Sequence, residues 1–136
     1  MKIILGAHSK VAPGFIKENV KCLAEQGSEV GCVGGVIDNV YENDTAEIIG
    51  LSMSSSFGVG DSYFRTGNKD GFVDTVAFGA YRKEVFDKIG YFDEDLARNQ
   101  DDEFNFRLLK AGYKIFLTQK IKCEYFVRAS FSKLIR

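Results

Sequence analysis

The stretch VDTVAFGAYRKEVFDKIGYFDEDLARNQDDEFNFRLLKAGYKI, residues 73–115, decides how the chain is read. Its second half carries the clearest helix signal in the protein. Asp101, Asp102 and Glu103 stand where a helix N-terminus favours negative charge, and Phe104, Leu108 and Ala111 recur on one face. Lys110 lies near the end and Gly112 follows as a cap, so the spacing predicts a helix over 101–111. Residues 83–89 read as a shorter helix stopped by Gly90. On the near side, 72–81 reads as a strand entering a turn. On the far side, 113–118 and 121–127 read as two separate β-prone runs.

Working outward, the same alternation continues. Residues 1–5 (MKIIL) form a short apolar run closed by Gly6, the pattern of a buried strand. Pro13 stands where a first helical turn begins, and Phe15, Ile16, Val20, Leu23 and Ala24 mark one apolar stripe, with Gly27 as its cap. Residues 29–37 (EVGCVGGVI) read as a strand whose Gly34 and Gly35 require close backbone approach. A helix is expected over 43–52, opened by a capping pair of Asp44 and Glu47. Residues 52–71 are rich in Ser and Gly, without periodicity, and read as a functional or disordered loop; 130–136 could begin another helix. Strands alternating with helices imply an α/β fold, and 136 residues suit a single domain, 1–136.

Composition narrows the function. Eighteen basic against nineteen acidic side chains leave a net charge of -1, which argues against a general nucleic-acid binder. No apolar stretch approaches the roughly 20 residues that cross a bilayer. Cys22, Cys32 and Cys123 are odd in number and contain no CxxC pair, so free thiols are expected rather than a disulfide scaffold or a zinc ribbon. Twelve Phe and six Tyr without Trp predict an aromatic core.

The densest chemistry lies at 93–103 (DEDLARNQDDE). A calcium loop would use Asp93, Asp95, Asn99 and Asp101, but Arg98 stands where the turn glycine belongs and Phe104 where the bidentate Glu belongs. Two readings of Asp101, Asp102 and Glu103 stay open. They form a catalytic cluster in which crowding raises one pKa, or they complement the helix dipole. Phe57-Gly58-Val59-Gly60 fails as a dinucleotide motif, because the third glycine would fall at Tyr63. His8 is the only histidine. The tail from 119 on carries Lys120, Lys122, Arg128, Lys133 and Arg136 against Glu124, a basic face fit for phosphates, an anionic membrane or solvent.

The order within 73–115 is specific: a Gly-aromatic-Arg turn, a short helix, G-x-F-D-E, an acidic cluster, then R-L-x-x-A-G-Y. It resembles the C-terminal half of family 2 glycosyltransferases, and FGVG before it and FVRASFSKLIR after it bring it closer to the succinoglycan and exopolysaccharide type. AHSKVAPGFI resembles the segment after that family's central metal motif, so the likeness covers nearly the whole chain.

The resemblance implies a partial GT-A fold, a mixed sheet flanked by helices, that takes a nucleotide-sugar donor and a saccharide or lipid-linked acceptor. Asp101 would be the general base, and Gly79, Asp102, Glu103 and Arg107 would contact substrate. A divalent Mg or Mn ion would offset the diphosphate charge. The family's metal motif begins with Asp, yet the aligned residues are Gly6-Ala7-His8, leaving His8 as the one ligand; Gln100 replaces the usual acid before the base. By the same comparison the portion that holds the nucleotide's base is missing, so the chain reads as an incomplete, acceptor-side domain. It is expected in the cytoplasm, at the inner face of the membrane, as a peripheral protein. It would pair with a missing N-terminal half, or form a homodimer through its uncovered apolar surface. An alternative reading is a non-catalytic remnant that binds or self-associates.

Overall fold

The computed structural model describes residues 1–41, 43–54 and 70–126. Its strands are β1 (Lys2–Ile3), β2 (Ser9–Val11), β3 (Val30–Val40), β4 (Gly71–Val73), β5 (Ala80–Tyr81) and β6 (Lys114–Phe126). The helices are α1 (Phe15–Glu25), α2 (Asp44–Ser54), α3 (Lys83–Ile89) and α4 (Gln100–Lys110). The sheet runs β1-β5-β3-β6-β2, with β4 also on β6. β3 and β6 are parallel and every other pairing is antiparallel, so the α/β class holds with a mixed sheet.

β3 lies at the centre because it can be covered on both faces. Val30–Ile37 is buried without interruption, as a continuous apolar run in a parallel pair requires. Val30 and Val33 pack with Phe15 and Leu23 of α1, whereas Cys32 and Ile37 face Phe86 of α3 and Phe104 and Leu108 of α4. The second core is aromatic as expected: the rings of Phe92 and Phe104 stack at 4.3 Å, and Tyr81 meets Phe104 edge-on at 5.2 Å. The paired glycines are required for closeness. A Cβ on Gly34 would lie 2.7 Å from Val76, and one on Gly35 only 2.0 Å from the Ile121 carbonyl oxygen.

Several local expectations are corrected by tertiary packing. Within the described residues, the runs expected at 113–118 and 121–127 fall on one strand, β6, that bulges instead of ending. Between Gly34/Leu117 and Val36/Lys122 the register shifts, and Asp70 takes over, accepting from the Gln119 N–H at 2.7 Å and the Thr118 hydroxyl at 3.0 Å. The expected strand 72–81 is two strands, β4 on β6 and β5 between β1 and β3. The run 1–5 is not a buried strand: β1 pairs only with β5 at the sheet edge, and Leu5 is 51% exposed.

In α1 the buried face is Phe15, Asn19, Cys22 and Leu23, while Ile16, Val20 and Ala24 point outward. That helix starts after Pro13 through a left-handed Gly14, and its end is capped from a distance rather than by Gly27. The Arg82 guanidinium donates to the carbonyls of Leu23, Gln26 and Gly27. α2 is capped by Asn43, whose Oδ1 accepts from the Ala46 N–H at 2.9 Å, and not by an Asp44–Glu47 pair. α3 and α4 match their expected spans to within a residue, with Gly90 and Gly112 in left-handed φ beyond their ends. The segments around 57–60 and beyond 126, with Arg128, Lys133 and Arg136, lie outside the described residues. No helix among the described residues is long and apolar enough to cross a membrane.

Candidate active site at the N-terminus of the fourth helix

α4 is set by a chain of hydrogen bonds that starts in the core and ends at the surface. The Tyr81 hydroxyl donates to Asn105 Oδ1 at 2.8 Å, Asn105 Nδ2 to the Thr75 hydroxyl at 2.9 Å, and Thr75 to Asp102 Oδ1 at 2.9 Å. Burial first, then the nearby Cys32 and Asp101, push the Tyr81 hydroxyl far up from its ordinary value, so it stays a donor. One turn on, Glu103 holds Arg107 in a two-point ion pair, and the remaining guanidinium donors reach the carbonyls of Ile89 and Tyr91, each at 2.7 Å. That clamp fixes the chain leaving α3, which carries Phe92.

Between these anchors lies a cleft of about 410 Å³, within the range of small-molecule sites. Ile4, Leu5 and Gly6 after β1 line one side, and Phe78 and Phe92 supply aromatic walls. Ala97, Arg98, Asn99, Gln100 and the half-buried Asp101 close it at the start of α4. Phe78 and Asn99 have φ of 55° and 57°, the two non-glycine residues with left-handed backbone among those described, and both line this cleft. Such conformations cost energy and concentrate where a surface must be shaped for a ligand. A wider hollow of about 590 Å³ beside Arg82 and Lys88 offers less, because those cations already donate to backbone carbonyls.

The structure brings Gly6 and Asp101 to one cleft and takes the other expected contacts elsewhere. Asp102 faces Thr75, and Glu103 and Arg107 face each other and the 89–91 turn. Gly79 is buried against Cys32, where a Cβ would stand 2.7 Å from the sulfur, and its carbonyl accepts from the Ile4 N–H at 3.1 Å. None of the four lines the cleft. The Gln100 Nε2 donates to the Leu96 carbonyl at 2.7 Å and, at 3.4 Å, to that of Asp93; an ionised acid there would donate nothing. Asp102 and Glu103 brace the helix start through Thr75 and Arg107, and Asp101 alone of the three lines the cleft.

The described residues do not fit the expected cation. A Cβ on Gly6 would lie 2.7 Å from Phe78 Cε1, so an aromatic ring fills the volume of a carboxylate at that position. His8 is exposed in the turn before β2, is not among the cleft's lining residues, and holds Phe126 through its carbonyl at 2.9 Å. No three His, Cys, Asp or Glu side chains converge among the described residues. Sequence reasoning missed Phe78 and Phe92 as lining residues and weighed Asn99 only as a calcium ligand. Their backbone angles and ring positions come from packing, and only the unexpected Gly6 hinted that something else fills the space.

No protein-family model matches the chain. Among curated proteins, it is 33% identical over 139 aligned residues to a dolichyl N-acetyl-alpha-D-glucosaminyl phosphate 3-beta-D-2,3-diacetamido-2,3-dideoxy-beta-D-glucuronosyltransferase from Methanococcus voltae. That alignment covers 98% of this chain and 43% of the relative. It is also 35% identical over 79 residues to the succinoglycan biosynthesis protein ExoA from Rhizobium meliloti, covering 58% of this chain and 24% of that protein. The chain thus spans less than half the length of the curated relatives it matches.

Proposed function

We propose, from the premise that this chain is homologous to glycosyltransferases of the family 2, exopolysaccharide-biosynthesis type, that it forms the acceptor side of an inverting, nucleotide-sugar-dependent transferase with a GT-A fold. One observation carries the reading. Of the acids at the start of α4, only Asp101 lines the cleft whose walls hold the two strained non-glycine residues. A hydroxyl of the bound acceptor gives its proton to the Asp101 carboxylate, and its oxygen attacks the anomeric carbon of the donor sugar. The bond from that carbon to the phosphate oxygen breaks, and the nucleoside diphosphate leaves with the electron pair, inverting the centre. Asp102, Glu103, Arg107 and Gly79 act as positioning residues, since their contacts are internal.

The names of the relatives support a saccharide or lipid-linked saccharide acceptor, and they favour transfer over a non-catalytic remnant. The nucleotide-binding portion would come from a segment joined to this one, and any divalent ion would draw its ligands from beyond the described residues. Two further expectations, self-association and contact with an anionic, cytoplasmic membrane face, rest on exposed Ile16 and Val20 of α1 and on Lys120 and Lys122 of β6. Light scattering and vesicle sedimentation test them.

The decisive experiment is a transfer assay with a panel of nucleotide sugars, in a protein where this chain is joined to a donor-binding portion. Asp101→Asn lowers kcat by roughly 10²- to 10⁴-fold, with the melting temperature retained. Unchanged turnover removes Asp101 from the role. Calorimetry of the chain by itself with UDP, with and without Mn²⁺, is expected to give no metal-dependent binding.

A further inference from the structure

The cleft's chemistry says what kind of ligand face it takes, an inference that rests on the proposed acceptor role and goes beyond it. The cleft is lined by the apolar side chains of Leu5, Phe78 and Phe92 and by the hydrogen-bonding groups Asn99, Gln100 and Asp101 at the entry of α4. A ligand that satisfies both needs one apolar face and an edge of hydroxyls. Charge separates the candidates. Among the described lining residues Arg98 is the one cation and Asp101 the one carboxylate. A nucleoside diphosphate would bring several negative charges beside Asp101, against which Arg98 supplies a single positive charge. A neutral sugar ring incurs no such repulsion.

We propose that Phe78 and Phe92 are specificity-determining residues that bind the apolar face of an uncharged pyranose ring, and that position 6 is glycine because the Phe78 ring occupies the space of its side chain. Two observations stand behind Phe78. Its left-handed backbone, costly for an aromatic residue, delivers the ring to this wall. Its Cε1 and Cζ atoms come within 2.7 and 3.2 Å of where a Gly6 Cβ would be. Phe92 is held by stacking on Phe104 and lies just beyond the Tyr91 carbonyl that Arg107 holds, so the second ring is presented in a fixed place.

The test is amide chemical-shift titration of the chain with methyl β-glucopyranoside and methyl β-N-acetylglucosaminide, and separately with UDP. The glycosides are expected to shift Leu5, Gly6 and residues 97–101. Phe78→Leu and Phe92→Leu each weaken that binding roughly three- to tenfold, and Phe78→Tyr retains it. Undisturbed dispersion elsewhere in the spectrum certifies the fold; if Phe78→Leu fails to fold, Phe92→Leu carries the test. Glycoside shifts that stay in the cleft with equal affinity in the folded Leu variants overturn the aromatic role and leave the acceptor reading standing. Glycosides that shift nothing in the cleft overturn both. UDP shifting these residues instead overturns the choice of a neutral ring.

Discussion

The buried hydroxyl of Tyr81 donates to Asn105 Oδ1 across 2.8 Å, joining the central sheet to α4. The bond matters because Tyr81 and Asn105 are both fully buried and lie 24 residues apart, so it closes a loop that carries α3 and the cleft-lining segment between them. Asn105 then passes the connection to Thr75 and Asp102. Asp101 is the neighbour of Asp102, and its position at the cleft follows from this chain of bonds rather than from its own helix alone.

Removing that hydroxyl should therefore be costly. Tyr81→Phe leaves Asn105 Oδ1 buried without its donor, a loss of about 1–3 kcal/mol. Urea unfolding should show a lowered midpoint at unchanged slope. A variant as stable as wild type would mean that the network contributes little.

The contact between Gly6 and Phe78 predicts a coupled pair. Gly6→Ala forces a methyl into the Phe78 ring and should destabilise by about 1–3 kcal/mol. Phe78→Leu frees that space, so the double variant should be more stable than the sum of the single losses. Additive losses in the thermodynamic cycle would show that the ring moves aside freely.

Gly35 offers no such relief. The nearest atom to its missing Cβ is the backbone oxygen of Ile121 at 2.0 Å, in the paired centre of the sheet. Gly35→Ala is expected to cost more than about 4 kcal/mol and to prevent folding, whereas Gly34→Ala, whose nearest neighbours are side-chain atoms of Val76, should fold with a smaller loss. Soluble yield and amide dispersion compare the two; a well-folded Gly35→Ala would refute the register at the bulge.

The thiols predict an alkaline limit. Burial is the largest cause that pushes Cys22, Cys32 and Cys123 upward, and it does the same for Tyr81. The folded chain keeps protons that the unfolded chain releases above about pH 8.5 for thiols and about pH 10 for tyrosine. Stability is thus fully present below those values and declines as pH rises past them. For Cys32, which has no exposed surface, the decline is about 1.4 kcal/mol per pH unit. Denaturant midpoints between pH 7 and 10.5 check this, and a thiol reagent should label three cysteines quickly only after unfolding. A midpoint rising with pH would contradict it.

How much was legible follows from the range of each signal. α3 and α4 were readable because their caps, charges and apolar spacing lie within a few residues of one another, and Gly90 and Gly112 end them locally. Asp101 stood out for the same reason, being one of three acids at a helix start. The close approach at Gly34 and Gly35 was also readable, since a glycine pair inside a strand has few other uses.

What the chain's own order determined, then, is the alternation of elements, the candidate acids at the start of α4, and free thiols. Tertiary structure decided the rest. Whether 114–126 is one strand or two depended on Asp70, which lies 48 residues from Thr118. Which face of α1 is buried depended on the sheet beneath it. Which acids open on the cleft depended on Thr75 and Arg107, and what fills the place beside Gly6 depended on Phe78. A sequence pattern reports on neighbours within a turn or a strand, while side-chain direction and occupied volume are set by groups that only folding brings within a few ångströms.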